Sequence, residues 1–377
     1  MKKIRTFIAI VCFALTGIAS AQQTPRLTAG DIGAKAFILV DANSQRVLAH
    51  ERATEHLDPA SITKLMTAYA TYKALEKGKL TMDDITIISA NVRNMTEGSR
   101  MFLERGSRVS IRDLLHGLVI QSGNDAAVAL AEAVSGSEEK FVALMNQYAK
   151  ALGMTNSHFK NVTGLTEPGH YMSARDIATL AHAIISEFPE HYKLYKEKSF
   201  TWNNISQGNR NVLLLTDPSV DGLKTGYTEA AGYCLTTSAK RDNMRLISVV
   251  LGTKSAKARV VASRKVLNYG FNHFVERTLI TANKKMTNHA VENGTLATID
   301  IAAKNNIRLP VSRDEQKRLN AQLVMNQTPQ APISAGQVVG EIQLKIGDKV
   351  LASTPAISLT KVERVGFFTR LYRKWFN

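Results

Sequence analysis

The chain has 377 residues, 44% of them hydrophobic and 21% charged, with two cysteines and a formal net charge of +16. That length exceeds a single average domain, and the excess charge points to an anionic partner: a membrane surface, an acidic polymer or nucleic acid. With two cysteines, one of them in the leader described next, an internal disulfide framework is excluded.

Residues 1–21 combine Lys2, Lys3 and Arg5 with an apolar run from Phe7 to Ala19 and an Ala19-Ser20-Ala21 exit, the pattern of a cleaved secretory signal. The run is shorter than the ~20 residues a spanning helix needs. Removing its three cations leaves +13 of the +16, and export argues against nucleic acid as the partner. Cys234 is then the remaining cysteine, and on a strand it reads as a small buried hydrophobe.

Residues 36–50 read as two strands around a polar Asp-Ala-Asn-Ser turn. Helical patterns follow at 59–77, 110–121, 124–134, 138–152 and 173–187. The first places Asp58 as N-cap and Pro59 as first helical residue, ahead of the apolar positions Leu65, Met66, Tyr69 and Leu75. Strand signals return at 222–227, 232–241 and 244–252, and a helix over about 255–270 closes the region. Strands at both ends with helices between predict an α+β domain over residues 22–275, one antiparallel sheet covered by helices. From 276 to 360 short β-rich runs with Gly and Pro punctuation predict a small second domain. The remainder, residues 361–377, reads as an amphipathic helix. Val365, Phe368, Tyr372, Trp375 and Phe376 share one side, and Arg370, Arg373 and Lys374 lie toward the other. With Lys361 and Arg364 these cations suit an anionic membrane surface, at about 1 kcal/mol each.

Three short motifs carry chemistry. Ser61 and Lys64 lie one turn apart near a helix start, where residues at i and i+3 touch. Ser122-Gly123-Asn124 falls between two apolar helical segments, as an interhelical turn that projects Ser122 and Asn124 together. Lys224-Thr225-Gly226 opens a strand, where Gly226 lets a ligand approach the backbone. Each alone also fits a plain turn or cap: Ser137-Glu138-Glu139-Lys140 repeats the first spacing as an N-cap, and Ser89-Ala90-Asn91 repeats the second. Together, in this order and separated by 61 and 102 residues, they form the set used by serine penicillin-binding proteins and β-lactamases.

The resemblance extends to "LDPASITKLMTAYATYKAL", "SGNDAAVALAE", "GLTEPGHYMSARDIATLA", "VDGLKTGYTEAAGYCLTTSAKR" and the terminal segment. The chain resembles, over nearly its whole mature length, the low-molecular-mass penicillin-binding proteins that are D-alanyl-D-alanine carboxypeptidases. That resemblance implies a penicillin-recognising catalytic domain, a β-rich second domain and a C-terminal helix on the periplasmic face of the inner membrane. It implies a peptidoglycan pentapeptide ending in D-Ala-D-Ala as substrate and β-lactams as ligands.

A serine hydroxyl needs a base. No histidine has a triad context and no metal pattern is present, so Lys64 is the candidate, its pKa depressed by burial and cations such as Lys224. No cofactor is expected. Ser122 can relay a proton to the departing amine, and Asn124 can hydrogen-bond the substrate amide. The resemblance places the oxyanion donors at the backbone N–H groups of Ser61 and Tyr227. Lys224 and Thr225 can bind the terminal carboxylate, with Arg259 and Arg210 as further basic residues that the family pattern matches. The commonest family form has His after Lys-Thr-Gly; here Tyr227 keeps the backbone N–H but not that side chain. Glu167, in its Pro/Gly loop, is not assigned a deacylating role. A D,D-endopeptidase or β-lactamase could share these motifs, as could a non-enzymatic membrane-tethered wall-binding protein, and the oligomeric state is left open.

Overall fold

The computed structural model describes residues 24–325 and 327–366, together with Ala9–Ile10 and Phe368. The chain divides into two compact units, one of residues 26–272 and one built mainly from 273 onward.

In the first unit a five-stranded antiparallel sheet runs in the order β2-β1-β5-β4-β3. Its strands are β1 (Ala36–Asp41), β2 (Val47–Glu51), β3 (Val220–Thr228), β4 (Gly232–Arg241) and β5 (Met244–Thr253). The chain thus supplies one edge first and returns 169 residues later, from Glu51 to Val220, to complete the sheet. Strand β1 is buried throughout because both its faces are covered. Phe37 and Leu39 join Leu246 and Val250 against helix α5 (Ala256–His273), through Ala262, Val266 and Leu267. Ile38 and Val40, on the other face, join Ile247 and Val249 in the larger core with helices α1 (Lys64–Glu76), α2 (Asn124–Ser135), α3 (Glu138–Ala151) and α4 (Ala174–Glu187).

Helix α1 is buried on every side from Lys64 to Tyr72, as expected of a helix through the centre of a domain. Two of its threonine hydroxyls are satisfied internally: Thr67 donates to the Val162 carbonyl and Thr71 to that of Thr67. The two decoy serines are N-caps, Ser89 accepting from the Val92 amide and Ser137 from that of Lys140. The sequence reading misses two small hairpins, Ile85–Ile87 with Arg108–Ser110 and Ser199–Trp202 with Ile205–Gly208. Their strands are short and largely exposed, so they carry little apolar alternation. Cys234 is a free, buried thiol; its sulfur accepts from the Gly252 amide, and burial pushes its pKa up to about 11.

The second unit holds an antiparallel sheet of Leu319–Val324, Val338–Ile346, Lys349–Ser358, Thr298–Ala303 and Lys285–Ala290, with Ala9–Ile10 paired at its edge. A separate pair joins Val275–Ile280 to Ile307–Val311. Ile299, Ile301, Ile342 and Leu344 form its core. The expected helix does not begin at 361. Val362 is bridged to Ile333 and buried, and the Val365 amide donates to the Asn293 carbonyl, so residues 361–366 are extended along this unit. Backbone pairing and burial of Val362 outweigh the amphipathic pattern there, and Lys361 pairs with Glu363. Apart from Phe368, the rest of the amphipathic segment lies outside the described residues, as does nearly all of the leader. Among the described residues no helix is long and apolar enough to cross a membrane.

Candidate active site

The turn bearing Ser61 is tighter than an α-helix start. Ala60–Thr63 is a 3-10 turn that runs into α1 at Lys64, and the Asp58 carboxylate accepts from the Ala60 amide instead of capping α1. In a 3-10 turn side chains at i and i+3 eclipse, which stacks Ser61 directly on Lys64. The Lys64 Nζ lies 3.0 Å from Ser61 Oγ and donates to the Thr163 carbonyl at 2.7 Å.

Ser122 sits in the left-handed region (φ 62) at the end of a π-helical turn, Gly117–Gln121, and Gly123 then caps α2. This bend turns Ser122 toward β3, where Lys224 Nζ donates to its Oγ at 2.7 Å and to the Thr225 carbonyl at 3.0 Å. Asn124 opens α2; its amide nitrogen donates to the Glu97 carbonyl at 2.8 Å and its backbone N–H to Ser99. Thr225 is buried, whereas Tyr227 is half exposed and packs on Tyr233 with ring centroids 4.2 Å apart. Gly226 has a structural reason beyond ligand access: a Cβ there would lie 2.9 Å from the Pro59 carbonyl oxygen and 3.1 Å from Ala60 Cβ. The strand therefore packs backbone to backbone on the serine turn. The Arg259 guanidinium donates to the Gly226 carbonyl and lies over the Tyr233 ring, and Arg210 donates to the Gln121 carbonyl, beside Ser122.

Lys64 is 1% exposed. Burial brings its pKa down to about 7, with the Arg210 charge adding to the fall and Asp125 opposing it. Arg210 adds to the fall at Lys64, and Lys64 and Lys224 repel each other as well. Lys224 is pushed well down too, first by burial and then by Lys64, Arg210 and Arg259. Arg259 is lowered by burial, with Arg210 adding to the fall and the Cys234 thiol opposing it. The hydrogen-bond partners of these four cations are neutral hydroxyls and carbonyls. Buried cations without acidic partners make the site electropositive and desolvated, a setting that favours an anion.

Residues 19–255 match the family model described as D-alanyl-D-alanine carboxypeptidase. The chain belongs to this family. Residues 274–364 match a second model, the C-terminal domain of penicillin-binding protein 5. Among curated relatives, D-alanyl-D-alanine carboxypeptidase DacC of Escherichia coli is 41% identical, across 97% of this chain and 94% of its own length. DacF of Bacillus subtilis is 37% identical across 99% and 98%. The solved penicillin-binding protein 5 of Haemophilus influenzae superposes with a TM-score of 0.78 at 37% identity, covering 92% of this chain and all of that one. Penicillin-binding protein D2 of Listeria monocytogenes, solved in its cefotaxime-bound form, matches 66% of this chain and 99% of its own at TM-score 0.60 and 29% identity.

Several residues that shape the site of this serine-type carboxypeptidase escape sequence reasoning. Thr163 supplies the carbonyl that fixes Lys64, and Asn161 shapes its loop by accepting from the Thr163 and Gly164 amides. Gly164 (φ +84) is required by contact: an added Cβ would sit 1.9 Å from the Ala60 oxygen. Asp125, buried under three backbone N–H donors from Met101, Leu103 and Ala126, is the anion that Lys64 feels. The Asp next to the Ser-Gly-Asn motif and the Asn-Val-Thr-Gly run were the available signals, and neither has a periodic pattern to mark it. Glu167 accepts from the Asn161 amide, within its own loop.

Proposed function

We propose that Ser61 is the nucleophile that removes the terminal D-alanine from peptidoglycan pentapeptide stems through an acyl-enzyme. The observation that carries this reading is the Ser61–Lys64 contact of 3.0 Å beside Lys224, Arg210 and Arg259, three cations with neutral partners. A lysine with a pKa of about 7 is neutral in half the molecules at neutral pH, and the same contact then runs from the serine hydroxyl to the amine.

Lys64 takes the Ser61 proton as Oγ attacks the penultimate D-alanine carbonyl, and the peptide nitrogen is displaced after a tetrahedral intermediate. The backbone N–H groups of Ser61 and Tyr227 hold the oxyanion. Ser122, bonded to Lys224, gives its hydroxyl proton to the departing nitrogen and takes back the one that Lys64 gained, which returns Lys64 to its neutral form. The free carboxylate of the terminal residue is met by Lys224, Thr225 and Arg259, with Arg210 adding charge from behind. Binding of that carboxylate favours the ammonium form of Lys224, which burial and the neighbouring cations disfavour. The Asn124 amide nitrogen is held by Glu97, which leaves its Oδ1 for a substrate N–H. Water then hydrolyses the ester and restores Ser61. A β-lactam enters by the same attack, consistent with the cefotaxime-bound relative.

The leader and the terminal basic, aromatic segment support export and attachment to the periplasmic face of the inner membrane. Domain limits of 22–275 and 276–360 complete the reading. The test is intact mass after incubation with a penicillin, for the wild type and Ser61→Ala. An adduct on the wild type alone is expected; no adduct on either would overturn the assignment. Free D-alanine, a split cross-link or an opened lactam as product distinguishes carboxypeptidase from endopeptidase and β-lactamase.

A further inference from the structure

The mechanism leaves a buried imidazole beside the site unused. His170 is 6% exposed, packed edge-on against Phe159 at a centroid distance of 5.9 Å. Its Nδ1 receives the Lys160 backbone N–H at 3.1 Å, so that nitrogen carries a lone pair. In the neutral ring Nε2 therefore bears the proton and donates to Thr63 Oγ1, 2.8 Å away. Thr63 is fully buried and immediately precedes Lys64.

We infer that His170 is a positioning residue: its Nε2–H bolts the loop of residues 158–172 to the serine turn and thereby fixes the Thr163 carbonyl that holds Lys64 on Ser61. The inference rests on the Ser61–Lys64 reading above. Loop and turn also meet elsewhere. Lys64 donates to Thr163, Thr67 donates to Val162, Thr166 donates to Asp58, and Leu57 is bridged to Met172. Among these the imidazole bond alone reaches the residue next to Lys64 from the loop side. The fit leaves no slack, since a Cβ at Gly164 would meet both the Ala60 oxygen at 1.9 Å and Thr63 Oγ1 at 2.8 Å. Loss of the imidazole N–H lets the loop recede, and Lys64 then loses its carbonyl acceptor and gains water.

The bond is stable across the working pH range. Burial lowers the His170 pKa to about 4; Asp58 and Glu167 oppose that fall and His158 adds to it. The ring stays neutral down to that pH, and below it a proton on Nδ1 would confront the Lys160 N–H.

The test uses the full chain with three variants: His170→Leu, Thr63→Val and His170→Gln, which keeps an amide N–H donor. Acylation by a fluorescent penicillin is timed from pH 5 to 9, and melting temperature is recorded in parallel. His170→Leu and Thr63→Val are expected to acylate at least about tenfold more slowly, as a sub-ångström displacement of a reacting pair predicts. Their acid limb is expected to move to higher pH, because a wetted Lys64 regains basicity while Arg210, Asp125 and Lys224 are unchanged. His170→Gln is expected to restore the limb and most of the rate. A structural role alone would lower the melting temperature and leave the limb in place; that result in Thr63→Val, or a Gln variant as slow as Leu, would overturn the inference. Should His170→Leu not fold, Thr63→Val decides. No acylation of the wild type would overturn the Ser61 assignment itself, and this inference with it.

Discussion

Replacing Lys64 by methionine separates what the amine does for the reaction from what it costs the fold. Its pKa falls from 10.5 to about 7 on folding. A group whose folded pKa lies below its unfolded one destabilises the fold as pH falls: the penalty is absent above 10.5 and complete below about 7. At 1.36 kcal/mol per pH unit the complete penalty is about 5 kcal/mol, and it grows by about 3 kcal/mol between pH 9 and pH 6. Against this, the variant leaves the Thr163 carbonyl without its donor, a pH-independent loss of ~1–3 kcal/mol. Lys64→Met is therefore expected to be more stable than the wild type by about 2–4 kcal/mol at pH 6 and nearly equal to it at pH 9. Relief of Lys224, which Lys64 also destabilises, acts in the same direction. Urea unfolding at the two pH values, extrapolated to water, reads the difference. A variant-minus-wild-type difference that does not change between pH 6 and pH 9 would refute a neutral, desolvated Lys64. The same variant should form no penicillin adduct.

In the wild type, acylation should rise with pH through about 7 as Lys64 loses its proton, so the rate at pH 6 is expected near a tenth of its plateau, measured by stopped flow. Gly164→Ala, which drives a methyl group into the Ala60 carbonyl at a positive φ, is expected to lose about 2 kcal/mol or more of stability together with acylation, read by urea unfolding and adduct mass. Deleting residues 367–377 should leave D-alanine release from a soluble peptide unchanged and abolish sedimentation with anionic vesicles; retained sedimentation would place the membrane contact elsewhere.

Much of the first unit was legible because its signals are local. Helices α3 and α4 carry periodicity and capping serines, and the strands after residue 220 alternate or run apolar between Gly and polar turns. Where the structure departs from the expectation, a distant partner is responsible. The helix expected from Pro59 begins instead as a 3-10 turn, because the backbone at Ala60 must fit against Gly164 and Gly226, residues far along the chain. The extended course of 361–366 depends on Ile333 and Asn293, which no window around those residues contains.

The sequence by itself determined which groups the site holds and their order: a serine three residues before a lysine, then Ser-Gly-Asn, then Lys-Thr-Gly. Residue types and spacing are properties of the chain, and this combination is rare enough to point to one chemistry. Only the tertiary structure decided what state those groups are in. The Lys64 pKa falls to about 7 because the fold buries it and brings Arg210 toward it, and the Thr163 carbonyl fixes its amine; Lys224 reaches Ser122 across 102 residues of chain. Desolvation and Coulomb interaction depend on distance in space and on exclusion of water, and neither quantity exists until the sheet, the central helix and the loop from 158 to 172 have closed around the site.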